Sequence, residues 1–128
     1  MIGAMPFAAE LGLEVVDAAG GTAAVTLARS RAVSWNEDSF QAAFVALVAD
    51  LAAGAAAATV IDTEEFPHTT DIDVAVLAAT RGERLVADAH VLAHVGRSFV
   101  VATTVRVHRA GNETVCGAGT VKLRIVTP

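Results

Sequence analysis

The fold of this protein is decided by residues 36–61, which read NEDSFQAAFVALVADLAAGAAAATVI. The part from Asn36 to Ala53 contains neither Gly nor Pro and is rich in Ala and Leu, so both propensity and length favour a helix over a strand. Its apolar residues cover almost the whole circumference of that helix, which is typical of a helix surrounded by other structure. The sequence therefore predicts one long buried helix from about Ser39 to Ala57.

Two capping patterns leave the start of this helix open by about one turn. Asp38 followed by Gln41 resembles a capping box, and Ser34 followed by Glu37 offers another just upstream. In either case a side chain would accept hydrogen bonds from the free N–H groups of the first turn.

The part from Ser39 to Ile61 is apolar enough to raise the question of a membrane span, since about 20 apolar residues cross a bilayer. Asp50 lies at its centre, where a charge costs about 2.5 to 3.5 kcal/mol on insertion scales, and both flanks are acidic instead of basic. The stretch is also rich in Ala and not in Leu. These features favour a buried helix of a soluble protein.

Residues before the long helix predict a short helix and a hairpin. The short helix runs from Met5 to Leu11, with Pro6 in its first turn and Gly12 as a left-handed C-cap. Two β-rich runs follow, Leu13–Ala18 and Thr22–Arg29, separated by a Gly-Gly pair that tolerates the positive φ angles of a tight turn.

Residues after the long helix alternate with the period of two that is typical of β-strands. The predicted strands are Asp71–Ala78, Leu85–Val95, Arg97–Arg109 and Glu113–Val126. The alternation assigns Val95 and Val115 to the inward faces of their strands. This order of elements predicts an α+β fold in which a curved antiparallel sheet wraps one long central helix, with residues 1–128 forming a single domain.

The composition indicates a cytoplasmic protein that buries surface between subunits. Hydrophobic residues make up 54% of the chain and charged residues 18%, which is few for a protein that exposes all of its surface to water. The net charge of −5 opposes the phosphate neutralisation on which DNA and RNA binding depend. Cys116 is the single cysteine, so no internal disulfide forms, and the start MIGAMPFAAELG lacks the regions of a signal peptide.

Asp50 is the first candidate for chemistry, because it is the single ionisable residue between Gln41 and Ile61. A buried carboxylate without partners is costly, so its presence calls for a reason. The residue patterns alone leave two readings open. Asp50 is either a functional carboxylate or a structural one that accepts hydrogen bonds or faces a gap between subunits.

The order of elements, with the segments NEDSFQAAFVALVADLAAG, TDIDVAVLAAT and RGERLVADAHVLAHVGRSFVVATTVRVHRAGNETVCGAGTVKL, resembles the hotdog-fold acyl-CoA thioesterases of the phenylacetate-pathway and 4-hydroxybenzoyl-CoA type. The resemblance covers nearly the whole chain. In that family a helix begins with His-Gly-Gly and carries an Asp or Glu nine residues after the His. Asp50 matches the acid, and Gln41-Ala42-Ala43 stands where the family has His-Gly-Gly.

The resemblance implies hydrolysis of an acyl-CoA thioester, with Asp50 as general base or nucleophile. It assigns to the Ala42 backbone N–H the polarisation of the thioester carbonyl at the helix N-terminus. Gln41 can donate a hydrogen bond as His does, but it cannot shuttle a proton near neutral pH. Asn36 lies near a family residue that contacts the carbonyl, and Gly54 occupies a position where some relatives carry a hydroxyl that positions the water.

The spacing of Gln41 and Asp50 bears on assembly. Nine residues at about 100° each turn through about 900°, so the two side chains point to opposite sides of the helix and lie about 13.5 Å apart along it. One subunit cannot aim both at the same thioester. A shared site therefore needs a second chain, as the resemblance implies, and we expect a homodimer or a homotetramer.

The remaining candidates carry weaker signals. The arginines near strand ends, which the resemblance suggests for the coenzyme A phosphates, are Arg81, Arg84 and Arg97. His90 and His94 have the spacing of zinc-binding helices, but they lie in an alternating strand, so we expect neither a metal nor any cofactor other than coenzyme A as part of the substrate. Cys116 is expected to pack in the core.

The sequence thus favours an acyl-CoA thioesterase, and a rival reading is a non-catalytic hotdog protein that binds an acyl-CoA or another apolar ligand. Loss of His-Gly-Gly favours the rival, whereas a lone Asp in an apolar helix favours the enzyme. The Asp-x-Asn-x-x-His pattern expected of a hotdog hydratase is missing.

Overall fold

The structure is a computed structural model that describes residues 5–127. Its helices and strands, in chain order, are α1 (Pro6–Leu11), β1 (Leu13–Ala19), β2 (Thr22–Ala28), a short 3-10 helix (Arg31–Val33), α2 (Ala43–Ala58), β3 (Phe66–Val76), β4 (Arg84–Val95), β5 (Ser98–Arg109) and β6 (Asn112–Val126). The six strands form one antiparallel sheet in the order β1-β2-β4-β5-β6-β3. Helix α2 contacts every strand, so the predicted hotdog architecture is confirmed.

The core lies between α2 and the sheet. Its fully buried side chains include Val45 and Val48 from the helix and Leu27, Leu85 and Phe99 from the strands. Burial of such apolar side chains contributes about 1.5 to 3 kcal/mol each, which makes this interface the main source of stability. Within the described range, no helix combines the length and apolarity needed to cross a membrane.

The long helix begins later than predicted, at Ala43 instead of about Ser39. Ser39 and Phe40 form isolated β-bridges with Arg81 and Ser34 respectively, and this extended backbone cannot be helical. The two predicted capping boxes are therefore wrong. The Gln41 side-chain oxygen instead accepts a hydrogen bond from the Ala43 N–H at 2.7 Å.

The hairpin turn and the strand faces agree with the sequence except at two bulges. Gly20 and Gly21 have φ angles of 59° and 83°, as the tight turn requires. The register of β4 shifts between Val91 and Ala93, and Val95 beyond it is 76% exposed instead of inward. A second irregularity between β5 and β6 leaves Val115 41% exposed and buries Cys116 in its place.

One stripe along α2 stays partly open to solvent in the single chain. Its members recur every three or four residues and are Ala43, Ala46, Leu47, Asp50, Gly54 and Ala58. A Cβ atom added at Gly54 would meet nothing within 4 Å, so there is free space one turn beyond Asp50. We call this surface the open stripe of α2.

Two glycines should respond in opposite directions to substitution by Ala. A Cβ at Gly119 of β6 would collide with the backbone oxygen of Asp73 on β3, so we expect Gly119→Ala to lower the free energy of unfolding by about 1 to 3 kcal/mol. Gly54→Ala is the matched control and should raise it by about 0.5 to 1 kcal/mol through helix propensity. Urea unfolding followed by circular dichroism measures both, and an unaffected Gly119→Ala protein would contradict the close contact of β3 with β6.

Candidate active site

A cavity of about 520 Å³ lies at the N-terminal end of α2. It brings together four residues that the sequence singled out, namely Asn36, Gln41, Ala42 and Arg81. The end of β3 and the segment that follows it supply the opposite wall, which includes Val76 and Thr80. We call this space the helix-start cavity.

The backbone at the start of α2 has a free donor at a residue that lines this cavity. The Gln41 side-chain oxygen accepts from the Ala43 N–H, whereas the Ala42 N–H makes no hydrogen bond within residues 5–127. Ala42 is exposed and precedes the first helical residue. The helix dipole favours negative charge at this point, so the Ala42 N–H can stabilise an oxygen that gains charge during a reaction.

Asp50 lies on the open stripe of α2 and is half-buried. Its Oδ1 atom accepts a hydrogen bond of 2.6 Å from the Thr69 hydroxyl of β3, which orients the carboxylate. Thr69 was missed at the level of sequence, because it precedes the predicted strand Asp71–Ala78 and a threonine carries no signal for a partner nineteen residues away, whereas β3 begins at Phe66. Thr69 thus supplies a hydroxyl beside the carboxylate, whereas Gly54, on the same side of α2, has no side chain to supply one.

Asp50 does not line the helix-start cavity. Along the axis of α2 it lies about 10 Å beyond Ala43, since each helical residue rises about 1.5 Å. Within one chain the carboxylate and the free N–H therefore belong to different surfaces.

The three predicted phosphate ligands do not lie together in one place. Arg81 lines the helix-start cavity, whereas Arg84 begins β4 and Arg97 follows the other end of that strand. A strand of this length spans about 40 Å, so one chain does not bring Arg84 and Arg97 to the same phosphate. Arg97 also donates to the backbone oxygen of Ile125 at 3.1 Å and pairs with Glu65 at 3.5 Å.

Arg81 forms an ion pair with Asp38 at the rim of the cavity. Its Nη2 and Nε atoms lie 2.8 Å and 3.0 Å from Asp38 Oδ2. Hydrogen bonds from Ser39 and then from Arg81 lower the pKa of Asp38 below its ordinary value. Because both partners are about half exposed, this pair orients Arg81 more than it stabilises the fold.

The weaker candidates do not form a site. His94 stacks on the ring of Phe99, with the ring centroids 4.0 Å apart, and His90 is exposed on β4. In the part of the chain that the structure describes, no group of three or more His, Cys, Asp or Glu side chains could hold a metal ion. Cys116 is fully buried, and burial raises the pKa of its thiol to about 11.

Comparison with known proteins identifies the fold. No protein-family model matches the chain, and no curated protein matches it either. A thioesterase-family protein from Silicibacter pomeroyi superposes with a TM-score of 0.93 at 24% identity, over 99% of this chain and 93% of that one. The chain has the hotdog fold of thioesterases. A Haemophilus influenzae thioesterase has a TM-score of 0.85 at 14% identity, over 97% and 85% of the two chains.

A further similar structure contains a ligand of its own. A Bacillus halodurans protein solved with CoA superposes with a TM-score of 0.84 at 17% identity, over 98% of this chain and 81% of that one. At these identities the hotdog fold is what is shared. The chemistry of this chain therefore has to be argued from its own residues.

Cys116 should be unreactive in the folded protein. The thiolate is the reactive form, and a pKa raised to about 11 keeps the thiol protonated at neutral pH. We expect a colourimetric disulfide reagent to leave Cys116 unlabelled at about pH 8 and to label it fully once guanidinium chloride unfolds the chain. Rapid labelling of the native protein would indicate that Cys116 is accessible and a candidate nucleophile after all.

Proposed function

We propose that this protein hydrolyses an acyl-CoA thioester to the free acid and CoA. The observation that carries the proposal is the pair of groups on α2: a carboxylate held by Thr69 on the open stripe, and a free N–H of Ala42 at the helix start. Thioester hydrolysis needs both a base or nucleophile and a donor for the carbonyl oxygen. The chain shares its hotdog fold with a thioesterase-family protein and with a protein solved with CoA, and this likeness supports the choice of substrate.

In the proposed reaction the thioester carbonyl oxygen accepts a hydrogen bond from the Ala42 N–H. Asp50 takes a proton from water as the water oxygen bonds to the carbonyl carbon, which gives a tetrahedral oxyanion. The carbon–sulfur bond then breaks, and the CoA thiolate takes up the proton. In the alternative route an Asp50 oxygen bonds to the carbonyl carbon, and the carbon–sulfur bond breaks to release the CoA thiolate and leave a mixed anhydride. Water then hydrolyses the anhydride to the free acid and the Asp50 carboxylate, and the thiolate takes up the proton.

The two groups meet at one thioester if two subunits share the site. Strand β3 is an edge strand of the sheet and carries Thr69, the partner of Asp50, and its side chains Ile72 and Val76 are 45% and 48% exposed. The outer side of an edge strand carries unpaired N–H and C=O groups on which another strand can pair. We propose a homodimer in which Asp50 of one subunit faces the Ala42 N–H of the other. A homotetramer built from such dimers stays a prediction. The cytoplasmic location stays a prediction too.

Replacement of Asp50 should test its chemical role. Asp50→Asn keeps the shape but removes the charge, so hydrolysis should fall by about 10² or more. Thr69→Val removes the orienting hydroxyl, and we expect kcat to fall by about tenfold with KM little changed. Thr69→Ser is the matched control: it keeps a hydroxyl, so its rate should stay close to that of the unmodified protein. Thiol release from a panel of acyl-CoA thioesters measures these rates, and full activity of Asp50→Asn would refute the assignment.

The Ala42 N–H and the shared site can be tested together. Ala42 has a φ of −58°, which proline can adopt, so Ala42→Pro removes the donor, whereas Ala42→Gly keeps it. We expect about a 10² to 10³ loss for Ala42→Pro, little loss for Ala42→Gly, and a smaller effect of Gln41→Ala than of Asp50→Asn.

Mixed dimers separate a shared site from a site within one chain. When Ala42→Pro and Asp50→Asn subunits exchange, each mixed dimer with shared sites has one intact site, so about a quarter of wild-type activity should return. No recovery would exclude the shared arrangement. If the unmodified protein binds CoA but hydrolyses no thioester in the panel, the protein is a ligand-binding hotdog protein instead.

A further inference from the structure

The loop between β2 and α2 exposes the single tryptophan of the chain. Trp35 is 71% exposed, although a large aromatic side chain gains free energy when it leaves water. It is not the tip of a loose segment. Val33 and Phe40, on either side of it in sequence, are buried in the core.

Hydrogen bonds hold the backbone of this loop in one shape. The backbone N–H of Trp35 donates to the backbone oxygen of Ser39 at 2.8 Å. The side-chain oxygen of Asn36 accepts from the backbone N–H groups of Asp38 and Ser39 at 3.1 Å and 3.0 Å. Phe40 is tied to Thr80 in both directions, at 3.0 Å and 2.7 Å. The protein therefore holds the loop backbone that carries an exposed aromatic ring in a defined position, which lowers the entropic cost of binding a ligand there.

Trp35 and Asn36 line two cavities at once. One is the helix-start cavity, which Ala42 also lines. The other has a volume of about 590 Å³, and Arg29, Arg31 and two serine residues contribute to its lining. We call the second space the arginine cavity. A ligand that occupies both would pass over the indole of Trp35.

The two arginines of the arginine cavity differ in whether their guanidinium groups already make hydrogen bonds within the chain. Arg29 is engaged by the fold, because its Nε donates to the Gly82 oxygen at 2.8 Å and its Nη1 lies 3.4 Å from the Ser34 hydroxyl. Arg31 is exposed, and within residues 5–127 its guanidinium makes no hydrogen bond or ion pair. Glu37 is the acidic residue in the lining, so the cavity has more basic than acidic side chains in a chain of net charge −5.

We propose that Trp35 and Arg31 bind the adenosine-phosphate end of coenzyme A. An aromatic platform beside a free guanidinium matches a nucleotide, since the base stacks on the ring and a phosphate accepts from the arginine. The pantetheine arm then passes Asn36 into the helix-start cavity, where the thioester reaches the Ala42 N–H. The identity of this ligand rests on the proposed function, but its binding does not require turnover.

The fluorescence of Trp35 reports binding directly, because no other tryptophan is present. We expect CoA and adenosine 3′,5′-bisphosphate to quench it strongly, and pantetheine, which has no base to stack on the ring, to quench it much less. By calorimetry, Trp35→Ala should weaken CoA binding about tenfold and Trp35→Phe much less, since a phenyl ring still stacks. Arg31→Gln should weaken binding by a similar factor. Arg124→Gln, at an exposed arginine of β6, is the matched control and should have no effect.

The outcomes distinguish this inference from the proposed function. Hydrolysis of CoA thioesters with a KM unaffected by Trp35→Ala would overturn the inference and leave the thioesterase standing. Trp35-dependent CoA binding without any hydrolysis would support the inference and remove the proposed activity. Conversion of the protein to a smaller oligomer by Trp35→Ala, with CoA affinity unchanged, would assign the exposed ring to a subunit contact and overturn the inference.

Discussion

The packing of α2 against all six strands is the interaction on which the rest of the structure depends. The contact is close enough that a Cβ atom at Gly117 of β6 would collide with the Val45 side chain. Because the sheet covers most of the helix, a polar residue on α2 can reach water or a ligand only along the open stripe. Asp50 lies on that stripe, and the adjacent strand supplies the Thr69 hydroxyl that its carboxylate needs.

A second set of contacts determines the conformation of the loop before α2. Burial of Phe40 and its two hydrogen bonds with Thr80 keep the chain extended up to Gln41, which delays the helix. The same contacts bring Ala42 and Trp35 to the lining of one cavity. One structural constraint thus connects the shortened helix, the free donor and the exposed aromatic ring. The candidate site is built where the sheet and this loop meet.

Several of these features follow from the sequence alone. The period of the apolar residues predicts the long helix, the strands after it and the antiparallel sheet, because periodicity is a local property that every neighbouring residue reinforces. The Gly20-Gly21 turn is local for the same reason. Asp50 stands out because a carboxylate in an apolar helix is costly wherever that helix packs. The resemblance to hotdog thioesterases correctly indicated the fold.

Other features were decided only by tertiary structure, since they depend on residues distant in sequence. The start of α2 was predicted one turn too early, because local capping patterns cannot reveal that Phe40 bonds to Thr80. Val95 and Val115 were wrongly predicted to face inward. A bulge changes which residue of a strand faces the core, and the alternation of apolar and polar residues in the sequence does not reveal it. The Thr69 contact with Asp50 forms only when β3 lies beside α2. The sequence by itself determined which elements form and which carboxylate is exceptional, whereas the packing of the sheet around α2 decided where each begins and what that carboxylate contacts.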